Sequence, residues 1–430
     1  MNFKPIMLNK MRSYSIKQEI DLQSRLQTIS KNGNLITKSH FERCQILEEL
    51  AESLTDKIDK ILQANSEDQE EQRKEAISGA LLDRLTLSPE RIKGIADGLK
   101  KLAGLPDPLG LVMEYTHPKG MLIQKIRVPI GLLLVVYEAR PNVTIDSVGL
   151  ALKTGNKVVL KGSRQTKYTN QALSEIVLGV LRLHQLEDSI AFFSDLEHDQ
   201  AAQLIGSEKF DLVIPRGGEK LKQTVLALAK APVLGAGGGV CHAYISSSAD
   251  LDMAAELIFN AKTQRPSVCN ALEKVLVHES HLKKSHLEKI LKKICDYGVE
   301  LYCDDKVRNC IGYGERAAED EWHREYLDLK IGVKAVSSLN EAIQHINFYS
   351  TGHSDLIVTE DQSEAETFCQ QVDSACVYVN VSTRFTDGEE FGLGAEIGIS
   401  TQKLHARGPI GSHELTTYKY LIKGDGQIRG

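Results

Sequence analysis

Residues 131–162, GLLLVVYEARPNVTIDSVGLALKTGNKVVLKG, decide the fold class of this chain. Residues 131–138 are a largely apolar, partly β-branched run, and residues 156–162 contain a second short run of this kind. Between them, residues 142–155 place apolar side chains at helical spacing, so the pattern predicts strand, helix and strand. Two strands joined by a helix lie parallel in one sheet. We therefore expect an α/β protein with a mostly parallel sheet.

The same alternation continues on the C-terminal side of this unit. Short strand patterns followed by helical patterns recur up to residue 234. A second series runs from GVCHAYIS (239–246) to ACVYVN (375–380). Helices on both faces of a parallel sheet bury its strands completely, which agrees with the apolar character of these runs. The sequence thus predicts two Rossmann-like α/β lobes.

Outside the two lobes, the sequence predicts helices and a small β element. Helical spacing covers Phe41–Gln63 and Ile77–Leu102, and Met113–Val128 alternates around a turn at His117–Gly120 as a hairpin does. The strand-like tail that begins at Thr416 can pair with another strand or with another subunit. We divide the chain into residues 1–112 with 129–235, residues 236–415, and a β element of residues 113–128 with 416–430.

Composition and charge exclude several classes of protein. The 430 residues carry a net charge of −6, with 42% hydrophobic and 26% charged residues, a globular balance without general attraction for nucleic acid. The run Ile130–Tyr137 is too short for a membrane helix, and residues 1–17 lack the apolar core of a secretory signal and are expected to be frayed. Eight cysteines without zinc-ligand spacing predict reduced thiols, no metal site and a cytoplasmic location.

The most specific candidate for chemistry is Cys269, in the segment TQRPSVCN (263–270). The segment ends an amphipathic helix and opens a turn before the strand pattern EKVLVHE. A cysteine there can be partly exposed beside Arg265, a setting that favours a nucleophilic thiolate. An intracellular cysteine is, however, more often a small buried side chain. These residues alone leave both interpretations open.

Further candidates lie where predicted strands end. Gly217 and Gly218 would let a phosphate approach backbone N–H groups at a helix start, although such a pair is more often only a turn. Lys161, with Arg164 beyond it, stands at the sheet edge where α/β proteins bind ligands, although exposed cations there are more often solvated. Asn142 can aim an amide donor into the same crevice or simply cap a helix.

Taken together, six segments resemble the aldehyde dehydrogenase superfamily, and closely its branch that reduces glutamyl phosphate. They are YEARPNVT (137–144), IPRGG (214–218), NAKTQRPSVCN (260–270), STRFTDG (382–388), FGLGAE (391–396) and STQKLHARGP (400–409). The resemblance implies an aldehyde dehydrogenase-like fold. Residues 1–112 and 129–235 would bind the cofactor, residues 236–415 would be catalytic, and residues 113–128 and 416–430 would mediate oligomerisation.

The resemblance also implies roles for individual residues. Cys269 would be the nucleophile, and Asn142 would hold the developing oxyanion together with the Cys269 backbone N–H. The residues expected to bind the cofactor are Lys161, Ser163, Arg164, Gly217 and Gly218. The expected anchors for the phosphate and α-carboxylate of the substrate are Arg265, Arg384 and Arg407, because a guanidinium offers two parallel donors to each anion. Among these three, Arg265 is expected at the phosphate.

Two departures from the wider superfamily change the implied chemistry. Gly235 stands where aldehyde-oxidising members carry a glutamate that activates water, so a thioester would survive for phosphate or hydride. Arg164 stands where NAD-using relatives often carry a glutamate that binds a ribose hydroxyl. An arginine there would pair with a 2′-phosphate, which favours NADPH.

The implied reaction is the NADPH-dependent reduction of L-glutamyl 5-phosphate to L-glutamate 5-semialdehyde, the second step of proline biosynthesis, by a homo-oligomer. A separate glutamate 5-kinase would supply the labile substrate and can associate with this enzyme; no nucleic acid or membrane partner is expected. Two alternatives remain at this stage. One is the oxidation of a semialdehyde to a free acid, and the other is a binding protein that has kept the fold without activity.

Overall fold

The computed structural model describes residues 24–31, 35–75, 79–235 and 237–429. The expectation of a frayed start at residues 1–17 lies outside these ranges. The chain divides into two compact units. The first consists of Met1–Gly235, Leu393–Ile397 and Ile410–Gly430, and the second of Ala236–Gly392 and Gly398–Pro409.

The described N-terminal part of the first unit is helical, with helices that are shorter than the sequence predicted. Residues 24–31 are helical, and they are followed by α1 (His40–Asp56), α2 (Ile58–Lys74), α3 (Gly79–Leu85) and α4 (Pro89–Gly104). The predicted helix at residues 41–63 is interrupted at Lys57. Of the one predicted at residues 77–102, residues 77 and 78 lie outside the described ranges, and the rest is interrupted at residues 86–88. The second break has a local cause, because Ser88 accepts the Arg91 N–H and Pro89 opens α4.

A three-stranded antiparallel sheet also belongs to the first unit. Its strands are β1 (Gly110–Thr116), β2 (Leu122–Pro129) and, from the far end of the chain, β16 (Thr416–Lys423). The predicted hairpin is therefore present, and β16 pairs with β2 from Thr416 opposite Pro129 to Lys423 opposite Leu122. The tail strand thus finds a partner within its own chain.

The core of the first unit is a parallel sheet in the order β5-β4-β3-β6. Its strands are β3 (Leu132–Tyr137), β4 (Lys157–Lys161), β5 (Ile190–Phe193) and β6 (Leu212–Arg216). The connecting and following helices are α5 (Pro141–Thr154), α6 (Lys167–Leu183), α7 (His198–Ile205) and α8 (Glu219–Leu228). All six residues of β3 are buried, as expected for a strand covered on both faces.

The second unit contains a parallel sheet in the order β10-β9-β11-β8-β7-β12-β13. Its strands are β7 (Cys241–Ile245), β8 (Leu272–His278), β9 (Glu300–Cys303), β10 (Glu315–Arg316), β11 (Lys330–Val336), β12 (Ser354–Val358) and β13 (Cys376–Val379). The helices are α9 (Leu251–Thr263), α10 (Lys284–Asp296), α11 (Asp305–Ile311), α12 (Leu339–Tyr349) and α13 (Gln362–Gln371). A separate short pair is formed by β14 (Ile399–Ser400) and β15 (Gly408–Pro409).

The expected fold class is confirmed by these two α/β units and the small β element. Buried apolar clusters lie around the second sheet, one including Val275 and Ile290 and another including Leu276 and Phe368. Because neighbouring residues of a strand point to opposite faces, Val275 and Leu276 of β8 enter different clusters. Within the described ranges, no helix combines the length and apolar character needed to cross a membrane.

Candidate active site

Cys269 lies in the turn between α9 and β8 and is half-buried. Asn270 fixes this turn, because its side-chain Nδ2 donates to the Thr386 carbonyl at 2.8 Å. In return, the Thr383 hydroxyl donates to the Asn270 carbonyl at 2.7 Å. The segment STRFTDG is thereby tied to the segment that carries the cysteine. Cys269 is thus not a deeply buried core side chain.

The backbone of residues 237–240 lies directly against Cys269. An ideal Cβ built on Gly239 would overlap the Cys269 carbonyl oxygen, so this approach requires glycine. The Cys241 Sγ donates to the same carbonyl at 3.2 Å. Burial raises the pKa of Cys241 well above its usual range, so this thiol stays protonated. Cys241 therefore supports the Cys269 peptide and is no second nucleophile.

A carboxylate from a distant loop reaches the same backbone segment. Glu325 accepts the Gly239 N–H at 2.7 Å, and an ideal Cβ on Gly238 would lie 2.6 Å from its other oxygen. The loop is held by the fully buried Glu273, which accepts the Tyr326 N–H at 2.9 Å. Gly235 lacks a carboxylate only in its own segment, and the sequence does not reveal Glu325, since no local motif marks a residue this far along the chain.

The buried base of this loop contains an ion pair. The Lys262 Nζ lies 3.1 Å from a Glu273 carboxylate oxygen, and both side chains are fully buried. Burial raises the pKa of Glu273 to about 7, although Lys262 and Lys274 act in the opposite direction. Removing one partner of a buried pair leaves an uncompensated charge and is strongly destabilising. The pair thus anchors the loop that carries Glu325 to β8.

Two of the three predicted substrate arginines lie near Cys269. The Arg384 Nε donates to the Gln264 side-chain oxygen at 2.7 Å, and its guanidinium also donates to the Asn270 side chain. Burial lowers the pKa of Arg384, Asp387 raises it, and among the smaller influences Arg265 lowers it and Cys269 raises it. Because Gln264 and Asn270 flank the segment that contains Arg265 and Cys269, these contacts hold Arg384 beside that segment.

The third predicted arginine, Arg407, has a different partner. Its guanidinium lies 3.0 Å from a carboxylate oxygen of Asp373 and donates to the Asp373 carbonyl at 2.7 Å. The structure therefore brings Arg384 and Arg265 together and places Arg407 in a second charged cluster of the same unit.

The predicted cofactor residues of the first unit gather at the ends of β4 and β6. Lys161 ends β4, where burial lowers its pKa, while Glu138 raises it and Arg164 lowers it. Arg164 is exposed and forms an ion pair with Glu197. The Gly218 N–H, before the first turn of α8, donates to Glu138 at 3.1 Å. Glu138 thus connects the two strand ends.

Ser163 and Asn142 lie at or beside the turn between β3 and α5. The Ser163 hydroxyl accepts the Ala139 N–H at 3.3 Å, and Ala139 has a positive φ of 39°. Asn142 is exposed in the first turn of α5, where its amide donates to the Asp146 carboxylate at 3.1 Å. Asn142 does not occupy the cap position of α5, which belongs to Arg140. Asn142 belongs to the first unit, whereas Cys269 belongs to the second.

Comparison with known proteins agrees with this architecture. The model of the aldehyde dehydrogenase family matches residues 33–307. The gamma-glutamyl phosphate reductase of Francisella philomiragia is 46% identical over 90% of this chain and 94% of its own length. The enzyme of the same name from Halothermothrix orenii is 47% identical over 96% of this chain and 99% of its own length.

Solved structures show the same relationship. The gamma-glutamyl phosphate reductase of Thermotoga maritima superposes with a TM-score of 0.90 at 40% identity and covers 95% of this chain and 100% of its own. An acetylating aldehyde dehydrogenase of Geobacillus thermoglucosidasius has a TM-score of 0.71 at 14% identity, covering 96% and 99%, which shows a common fold alone. This chain is an oxidoreductase. It belongs to the aldehyde dehydrogenase family and, within that family, to the gamma-glutamyl phosphate reductases.

Proposed function

We propose that this chain reduces L-glutamyl 5-phosphate to L-glutamate 5-semialdehyde with NADPH, through a thioester on Cys269. The observation that carries the proposal is the half-buried Cys269 in a turn that follows Arg265 and in which the adjacent Asn270 accepts a hydrogen bond from Arg384. The curated relatives support the choice of substrate, because they carry this reductase name over 90% or more of the chain. The reaction would be the second step of proline biosynthesis from glutamate.

The residues of the first unit fit a cofactor that carries phosphate groups. Lys161 and Arg164 supply two cations at the end of β4. An ideal Cβ on Gly218 meets nothing within 4 Å, so there is open space beside the first turn of α8. A 2′-phosphate would compete with Glu197 for Arg164, and exposed ion pairs of this kind contribute only about 0–1 kcal/mol. The exchange therefore costs little, which supports NADPH over NADH.

In the proposed mechanism, the Cys269 thiolate attacks the γ-carbonyl, and the neighbouring Arg384 and Arg265 stabilise this anionic nucleophile. The Cys269 backbone N–H and, by the family resemblance, the Asn142 amide hold the oxyanion. Phosphate then leaves, with Arg265 as its partner. NADPH, when bound, supplies the hydride that the thioester requires. The C–S bond breaks as the semialdehyde forms, and Cys269 returns to the thiolate.

The proposal is tested in the reverse direction, by measuring phosphate-dependent reduction of NADP⁺ with glutamate 5-semialdehyde. Cys269→Ala is expected to abolish turnover, because covalent catalysis needs the sulfur. Cys369→Ala, which changes an exposed cysteine on α13, is the matched control and is expected to keep wild-type turnover.

Three results would contradict the proposal. Turnover that persists in Cys269→Ala would exclude the thioester. Activity that does not need phosphate would indicate a hydrolytic dehydrogenase instead. A wild-type chain without activity toward this substrate would favour the binding-protein alternative.

A further inference from the structure

A cavity of about 360 Å³ in the second unit lies beside the backbone segment that contacts Cys269. Two of its lining residues touch that segment. The Thr351 hydroxyl oxygen accepts the Val240 N–H at 3.0 Å, and an ideal Cβ on Gly237 would lie 2.8 Å from the Thr401 hydroxyl. Because Gly239 lies against the Cys269 carbonyl, a single backbone segment connects the wall of this cavity with the nucleophile.

Three charged side chains line the cavity. The Asp373 carboxylate lies 2.5 Å from the Lys403 Nζ and 3.0 Å from the Arg407 guanidinium. These two cations lower the pKa of Asp373, so the carboxylate is ionised at neutral pH. Asp373 is half exposed, and Lys403 is more exposed still. The cavity therefore offers one anion and two cations within a few ångströms, and the Asp373 and Lys403 side chains are open to solvent.

We propose that this cavity binds the α-amino acid end of the substrate, with Asp373 facing the α-ammonium group and Arg407 and Lys403 facing the α-carboxylate. The inference rests on the proposed function and deepens it, because it states what distinguishes a glutamyl substrate from a simple acyl phosphate. A zwitterion carries both charges on one carbon, and the cluster presents both complementary charges side by side.

A glutamyl chain has a short reach between its two ends. Three carbon–carbon bonds of about 1.5 Å each separate the α-carbon from the carbonyl that Cys269 attacks. Thr351 in the cavity wall accepts the Val240 N–H, and the adjacent Gly239 lies against the Cys269 carbonyl oxygen. The inference therefore requires the charged cluster to lie within this short reach of the Cys269 sulfur.

The decisive experiment compares two aldehydes in the reverse reaction with phosphate and NADP⁺. One is glutamate 5-semialdehyde, and the other is 5-oxopentanoate, the same aldehyde without the amino group. Asp373→Asn is expected to raise KM for the semialdehyde by about tenfold or more, with kcat nearly unchanged, because a charge-assisted contact is lost. KM for 5-oxopentanoate is expected to stay the same, so the preference for the amine collapses.

The matched control is Asp252→Asn, which removes an exposed carboxylate that pairs with Lys289 at 2.8 Å on α9 and α10. It is expected to leave both KM values as in the wild type. Spontaneous cyclisation of the semialdehyde affects every variant equally and cancels in the comparison.

The outcomes separate this inference from the proposed function. If Asp373→Asn still prefers glutamate 5-semialdehyde over 5-oxopentanoate as the wild type does, with or without a lower melting temperature, the inference is overturned. Phosphate-dependent activity of the wild type would still support the proposed function in that case. A lower KM for phosphate with the amine preference intact would assign the cluster to phosphate and also overturn it. A wild-type chain without phosphate-dependent activity would contradict both the inference and the proposed function.

Discussion

At the scale of single residues, the position of Cys269 depends on a glycine. A side chain at residue 239 would overlap the Cys269 carbonyl oxygen, so Gly239→Ala must push the nucleophile out of place. A displacement of about 1 Å can reduce turnover by about 100-fold, and we expect a loss of this size in phosphate-dependent activity. Gly94→Ala on α4, where a Cβ meets nothing within 4 Å, should keep full activity. Wild-type kcat in Gly239→Ala would contradict the close approach.

Local sequence identifies some of the site residues and not others. Cys269 and Lys161 were found because a turn or strand end next to them is visible in the pattern of apolar residues. Glu325 and Asp373 were missed, because they reach their partners only through the packing of distant loops. The catalytic and binding roles of all these residues stay predictions.

At the scale of secondary-structure elements, α12 carries a buried histidine. The His345 ring lies 4.4 Å from the Tyr349 ring and 5.6 Å from the Trp322 ring, measured between centroids. Burial lowers the pKa of His345 to about 2. The folded chain therefore binds fewer protons at this residue than the unfolded chain between pH 6.5 and about 2. The stability that depends on the neutral ring is present above pH 6.5 and is lost as the pH falls.

His345→Phe keeps an aromatic ring in this position and removes the titration. We expect the free energy of unfolding to fall less in the variant than in the wild type between pH 6.5 and pH 5, by about 2 kcal/mol. Urea unfolding followed by circular dichroism at both pH values measures this difference. His198→Gln, at the exposed start of α7, should follow the wild type. An identical pH dependence in His345→Phe would show that the ring titrates freely.

The order of helices and strands was largely readable from the sequence, whereas their boundaries were less so. Strands such as β3 are apolar throughout, and the helices between them keep one apolar face, so the alternation is visible. Apolar spacing continues past Lys57, and the sequence therefore predicted one helix where the chain forms α1 and α2. The break depends on the backbone at Lys57, with φ of −112° and ψ of 24°, which no local signal announces.

At the scale of the whole molecule, the three-stranded sheet exposes an unusual concentration of apolar side chains. The exposed residues on β1 and β16 are Leu111, Val112, Met113, Tyr115, Tyr418, Tyr420, Leu421 and Ile422. Apolar patches and open strand edges of this kind are typical of surfaces that another chain covers. The oligomerisation role expected of this sheet therefore stays a prediction, and these exposed side chains are the surface on which it can be tested.

Ile422→Lys places a charge on this sheet at a position that is 61% exposed, so the single chain should tolerate it. We expect the variant to sediment as a smaller species than the wild type, because the charge would be desolvated in an interface. Leu183→Lys, at the exposed end of α6, makes the same change on another surface and should sediment like the wild type. Equal sedimentation of all three proteins would place the subunit contact elsewhere.

The pairing of β16 with β2 also has a consequence for synthesis on the ribosome. Arg127 of β2 and Thr416 of β16 are 289 residues apart, and at about 5–20 residues per second that stretch takes roughly 15–60 s to translate. Throughout this interval the nascent chain carries β2 with one edge unpaired. We therefore expect newly made chains to bind chaperones until β16 has been synthesised. Subunits should assemble only after the ribosome has translated β16.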